Sequence, residues 1–194
     1  MFNGYKCFDK GLINRYGIKY EVGKLYHCDG QITFGNDGNG FHVCKRLEDT
    51  LRYFDAMNKE IDIAKVKCYG KYEEYEDDYN GYYDMFAYEY MEIEKVLTRE
   101  EIIDYGLKLY EFRAKRFISL YKLTPEEIIL FKEKYQNNID ILNTIAYYKE
   151  DNKDIYNHYI KSKKLWYNEY ERIERNERIS NKKMFKMWRY RQSY

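Results

Sequence analysis

Residues 61–103 read IDIAKVKCYGKYEEYEDDYNGYYDMFAYEYMEIEKVLTREEII, and the changes of pattern inside this stretch decide the fold. From Ile61 to Tyr69 the residues Ile61, Ile63 and Lys65 alternate with Asp62, Ala64, Val66 and Cys68, the period of two expected of a half-buried strand. Residues 71–81 contain no aliphatic side chain and read as a solvated loop. In residues 85–97 Met85, Ala87, Glu89, Met91 and Ile93 alternate with Phe86, Tyr88 and Tyr90, which predicts a strand although Met, Ala and Glu are good helix formers. Thr98 followed three residues later by Glu101 is a capping box, so a helix starts at Arg99.

Upstream of this stretch, Tyr5 to Phe8, Lys19 to His27 (broken by Gly23), Gln31 to Phe34 and Phe41 to Cys44 read as short strands, with GNDGNG at 35–40 as a turn. Arg46 to Met57 reads as a helix, because Leu47, Leu51 and Phe54 recur at i, i+4 and i+7. Downstream, Thr124, Pro125 and Glu127 repeat the start signal with proline at the first helical position. Leu107 to Leu120, Asn138 to Tyr148 and Asp151 to about Ile179 keep a helical period; in the last, Ile155, Tyr159, Trp166, Tyr170 and Ile173 form one stripe. The expected class is α+β: a small N-terminal mixed or antiparallel sheet module with one or two helices over 1–98, followed by a helical region over 99–194.

With 194 residues the chain is long enough to bury a core without metals or disulfides. No apolar run approaches the length of a membrane span, and residues 1–11, MFNGYKCFDKG, have no signal-peptide pattern, so a soluble protein in the cytoplasm of a host cell is expected. The four cysteines, Cys7, Cys28, Cys44 and Cys68, are then expected as reduced, mostly buried thiols. His27, Cys28, His42 and Cys44 have metal-ligand chemistry, yet adjacent strand residues such as His27 and Cys28 face opposite ways and no Cys knuckle is present. Buried thiols and hydrogen-bonded imidazoles are the simpler reading, with no metal and no cofactor expected.

The formal net charge of +1 conceals a strong segregation. Residues 71–94 hold one basic and nine acidic residues, net −8, whereas residues 95–194 hold 22 basic and 15 acidic, net +7. Two candidate contact regions follow. In the acidic run, Glu73, Glu74, Glu76, Asp77 and Asp78 are interleaved with Tyr75, Tyr79 and Tyr82; carboxylates compete with phosphates for Arg and Lys, so such a segment suits a basic groove. At the other extreme, residues 182–194 carry Lys182, Lys183, Lys186, Arg189 and Arg191 with Trp188 and no acid, a footprint for nucleic acid or an acidic partner. A solvated loop and a docked terminal helix are the alternative readings of the two regions.

The segments YKCFD (5–9), KYEVGKLYH (19–27) and GFHVCKRLEDTLRYF (40–54) resemble a module of uncharacterised phage and prophage proteins, matched at Gly23, Lys24, Tyr26, Gly40, Phe41, His42, Cys44, Asp49 and Tyr53. IAKVKCYG and EIEKVLTREEII sit where that family continues, so the resemblance covers about the first hundred residues. It implies an α+β module of mobile-element origin and no defined chemistry. The order of strand, Gly-rich turn, Gly-aromatic strand and helix is also distantly similar to the ADP-ribosyltransferase plan, in which Glu92 or Glu94 is placed by position as the ribose-orienting glutamate. Resemblance and charge together lead to the expectation of a non-enzymatic phage-type accessory protein. It would bind and inhibit a host protein or ribonucleoprotein effector, as counter-defence and anti-CRISPR proteins do. An ADP-ribosyltransferase-like enzyme and a nucleic-acid-binding protein acting through the basic end are the alternatives.

Overall fold

The computed structural model describes residues 1–35, 38–75 and 85–149. The chain divides into a unit of residues 1–145 and a second of residues 146–194, and the architecture below is that of the first. It is α+β: five antiparallel strands, then helices that lie mostly later in the chain. The strands are β1 (Phe2–Asp9), β2 (Leu25–His27), β3 (Phe41–Cys44), β4 (Ile61–Tyr75) and β5 (Met85–Val96). The helices are α1 (Leu47–Thr50), continued by a 3-10 turn at Leu51–Tyr53, then α2 (Arg99–Leu107), α3 (Glu111–Leu120), α4 (Pro125–Lys134) and α5 (Ile139–Lys149).

The sheet runs β2-β5-β3-β1-β4, and β4 also pairs with β5, so four strands close into a ring. Its longest seam is the β4–β5 hairpin, which runs from Ala64 opposite Val96 to Tyr75 opposite Met85 with register shifts between Lys65 and Val66 and between Tyr69 and Tyr72. β1 covers the other edge of β4 only from Ile61 to Cys68. Beyond Cys68 that edge has no strand partner among the described residues.

The period of two in β1 and β4 separates two cores. Phe8, Val43, Ala64, Val66, Cys68, Phe86, Tyr88, Met91 and Ile93, from all four strands of the ring, converge in one cluster with Leu12 and Tyr20. Cys7 and Ile63, one residue out of phase, join a second cluster with Leu47, Leu51, Leu97 and the helical Ile102, Ile103, Ala114, Phe117, Ile118, Phe131, Ile141 and Ile145. The helices therefore share a core with the sheet. Both predicted capping boxes are present: Thr98 and Thr124 accept from the amides of Glu101 and Glu127, whose carboxylates accept from the cap amides in return. Gly106 of α2 lets α3 and α4 approach, since a Cβ there would stand 2.6 Å from the Phe117 ring and 2.9 Å from that of Phe131.

Two carboxylates are also buried under the helices. Glu48 and Asp49 of α1 are inaccessible to solvent. Arg113 Nη1 lies 2.6 Å from Glu48 Oε1, the Tyr105 hydroxyl donates to Glu48 Oε2 at 2.6 Å, and Arg116 Nη1 lies 3.1 Å from Asp49 Oδ1. Buried charge persists only when paired, so these contacts tie α1 to α2 and α3. Burial nevertheless pushes the Asp49 carboxyl up to about 6 against the pull of Arg116.

Several expectations are corrected. Residues 71–75 are strand, not loop, because β5 supplies a full ladder and tyrosine suits a pleated surface. Gln31 to Phe34 lies in a loop, and Lys19 to His27 contributes only the three residues of β2. The expected helix from Arg46 to Met57 stops within two short turns, because Phe54 is already extended at φ −135 and ψ 143. Leu107 to Leu120 is broken between α2 and α3. The expected helix over residues 151–179 lies outside the described residues. Among the described residues no helix is long and apolar enough to cross a membrane.

Candidate functional site

The candidate site is a cleft of about 630 Å³ at the hairpin, lined by His27, Asp29, Gln31, Lys71, Tyr72 and Glu89 among others. Its geometry starts from Gly70. The β4–β5 register slips between Tyr69 and Tyr72, a bulge that places Gly70 at φ +79, a region side-chain-bearing residues avoid. A Cβ on Gly70 would fall 2.5 Å from Glu89 Oε2, so the glycine also makes room for that carboxylate. The amide of Lys71 at the bulge donates to Glu89 Oε2 at 3.0 Å. This bond, assisted by His27, holds the Glu89 carboxyl below the usual carboxylate range.

His27, at the end of β2, stacks on Tyr90 with ring centroids 4.4 Å apart and planes 18° apart. Its Nδ1 lies 3.3 Å from Asp29 Oδ1 and its Nε2 lies 3.7 Å from Glu89 Oε1. The loop after β2 is pinned by Asn39, whose side-chain amide donates to the carbonyls of Asp29 and Gln31 and whose Oδ1 accepts from the Cys28 thiol. Further along the hairpin, Glu73 accepts from the Phe34 amide, and Phe34 stacks on Tyr75 at 4.8 Å. The cleft wall is therefore built before any ligand arrives. Chemically it offers an ionised carboxylate with one oxygen committed, an imidazole oriented by a second carboxylate, an ammonium, an amide and a phenol.

A family model described as "Domain of unknown function (DUF7666)" matches residues 2–104, more than half of the chain. The chain belongs to the DUF7666 family. No curated protein and no solved structure matches it. The DUF7666 segment takes in the whole sheet, the cleft and the Thr98 capping box, ends inside α2, and leaves α3 to α5 outside.

Within the DUF7666 segment the sequence-predicted residues fall in different places. Glu73, Glu74 and Tyr75 form the exposed distal end of β4, while Glu76, Asp77, Asp78, Tyr79 and Tyr82 lie outside the described residues. Lys182, Lys183, Lys186, Trp188, Arg189 and Arg191 of the basic end also lie outside them. Glu92 and Glu94 do not line the cleft; Glu94 pairs with Lys67 at 3.3 Å. His27 and Cys28 are separated from His42 and Cys44, and no group of three or more His, Cys, Asp or Glu is arranged to hold a metal among the described residues. His42 instead lies edge-on to Phe34, its Nε2 buried without a partner, and burial pushes its imidazole down to about 4. Cys44 and Cys68 are buried thiols pushed up to about 12. Glu89 and Lys71 were missed as site residues; the available signal was an isolated glycine, Gly70, inside a strand pattern.

Proposed function

We propose that this DUF7666 protein is a non-enzymatic, phage-type accessory protein that binds and inhibits a basic host effector, a counter-defence role of the anti-CRISPR kind, in the host cytoplasm. The observation that carries this reading is the distal half of β4. Residues 70–75 are all exposed, Tyr72 at 59% and Tyr75 at 40%, beside the carboxylates of Glu73 and Glu74. Their outer edge has no strand partner among the described residues. An open edge offers backbone donors and acceptors to a partner strand, tyrosines supply contact area at low entropic cost, and carboxylates select Arg and Lys. The net charge of −8 over residues 71–94 favours a partner whose surface is built for phosphates.

The test is capture from nuclease-treated host lysate on the immobilised full chain. The reading expects one stoichiometric protein that elutes as salt rises, is lost with the double variant Tyr72→Ala, Glu74→Lys, and is retained by Glu94→Lys on the paired stretch of β5. Glu74 is chosen because Glu73 is engaged with the Phe34 amide. Capture that is indifferent to the double variant, or that disappears with nuclease, overturns it.

A further inference from the structure

We propose that the cleft between His27 and Glu89 is a binding site for a sugar carrying a vicinal diol, a further function that shares Lys71 and Tyr72 with the docking edge but is centred on Glu89 of β5. Its volume of about 630 Å³ falls within the range of roughly 300–1,000 Å³ typical of small-molecule pockets. One oxygen of Glu89 is held by the Lys71 amide, while Oε1 stands 3.7 Å from His27 Nε2. That separation is too long for a direct hydrogen bond and shorter than the span of about 4.5 Å that a single tetrahedral oxygen bridges, so the two atoms stand side by side and suit a pair of neighbouring hydroxyls. One hydroxyl of a vicinal diol donates to Glu89 Oε1 and its neighbour bonds to His27 Nε2. Gln31 and Lys71 line the same cleft and add further polar groups to it.

Charge and shape narrow the ligand further. Two carboxylates, Asp29 and Glu89, face one ammonium and one imidazole, so neither a strongly anionic nor a strongly cationic ligand is selected. Mixed donors and acceptors suit neutral hydroxyls, each of which is both. The His27 ring, stacked on Tyr90, provides a flat wall for the C–H face of a sugar, and Tyr72 also lines the cleft. The positions of Glu89 and the loop are fixed by the Gly70 bulge and by Asn39, so ordering the site costs a ligand little.

The diol has two natural sources, the ribose of a nucleoside and the ring of a glycan, and the experiment distinguishes them. The side-chain NMR signals of His27 in the full chain are followed during titration with adenosine, with 2′,3′-dideoxyadenosine and with methyl α-mannopyranoside. A saturable His27 shift is expected with adenosine or the mannoside. It should be at least about tenfold weaker in Glu89→Gln, the loss expected for a hydrogen bond to a charged group, and unchanged in Glu94→Gln. A response to adenosine alone assigns the ribose; a response to the mannoside alone assigns a glycan. Absence of a saturable shift with both, dideoxyadenosine binding as well as adenosine, or Glu89→Gln binding as well as the parent overturns the proposal. The dideoxy comparison uses the unmodified protein and decides the adenosine arm should Glu89→Gln not fold. In the mannoside arm, Asp29→Asn, at a side chain 96% exposed, replaces it and must weaken binding.

Discussion

The two halves of β4 are one strand with opposite uses. From Ala64 to Cys68 it is paired on both edges, with Ala64, Val66 and Cys68 buried inside the ring, while upstream Ile63 is buried under the helices and Ile61 packs against the same core. From Gly70 to Tyr75 it keeps only β5, exposes every residue and carries the acids and tyrosines. The boundary is the bulge at Gly70. A bulge shifts side-chain phase and adds twist, so a strand can leave its core role without ending. Stability is expected to reside in the first half and recognition in the second.

The largest expected contrast is between Ile63→Ala and Glu74→Ala. The first removes a fully buried side chain and should cost about 2–5 kcal/mol in denaturant unfolding; the second should stay within about 0.5 kcal/mol. Equal losses would erase the division. At the boundary, Gly70→Ala forces a Cβ into φ +79 and toward Glu89, a strain of about 1–2 kcal/mol before any clash. Thermal unfolding should register that loss, and the His27 signals should move with it. Smaller still, Thr98→Ala and Thr124→Ala each delete a cap and should cost about 1 kcal/mol, with some coupling between them, since Arg99 beside the first cap pairs with Glu127 of the second.

The smallest expected net effect is with pH, where two buried groups oppose each other. His42 falls from 6.5 to about 4 on folding, so the unfolded chain takes up its proton first and stability is lost as pH drops through that window. Asp49 rises from 3.8 to about 6, so its contribution has the opposite sign: stability is lost as pH rises from 4 to 6. Relative to the parent, His42→Gln should lose stability on raising the pH from 4 to 6, and Asp49→Asn on lowering it from 6.5 to 4. Urea unfolding midpoints across that range check both signs.

Local signals were read correctly where they act alone. The alternation at Ile61 to Tyr69 and the threonine caps at 98 and 124 are satisfied within a few residues, and the structure contains all three. Signals that need a distant partner were lost. Residues 71–75 have no aliphatic side chain, and only the ladder to β5 makes them a strand. The same holds for the cleft: His27, Lys71 and Glu89 come from three strands or their edges, and the bulge that gathers them is marked by a single glycine. Charge segregation was visible at once, but its acidic block is split between a described strand and residues outside the description.

The ring has one thin joint. β1 meets β3 through a single register pair, Tyr5 with Cys44, while its ladder to β4 runs through eight. Beside that joint the Lys6 ammonium donates to the His42 carbonyl at 2.5 Å, a clasp made by a side chain where backbone bonds are few. Hydrogen exchange follows the opening of lowest free energy, and parting this joint unrolls the ring into an open sheet of order β1-β4-β5-β3 without disturbing the hairpin. Deuterium should therefore enter the amides along β3 well before those of Ile63 to Cys68, and Lys6→Met should hasten it.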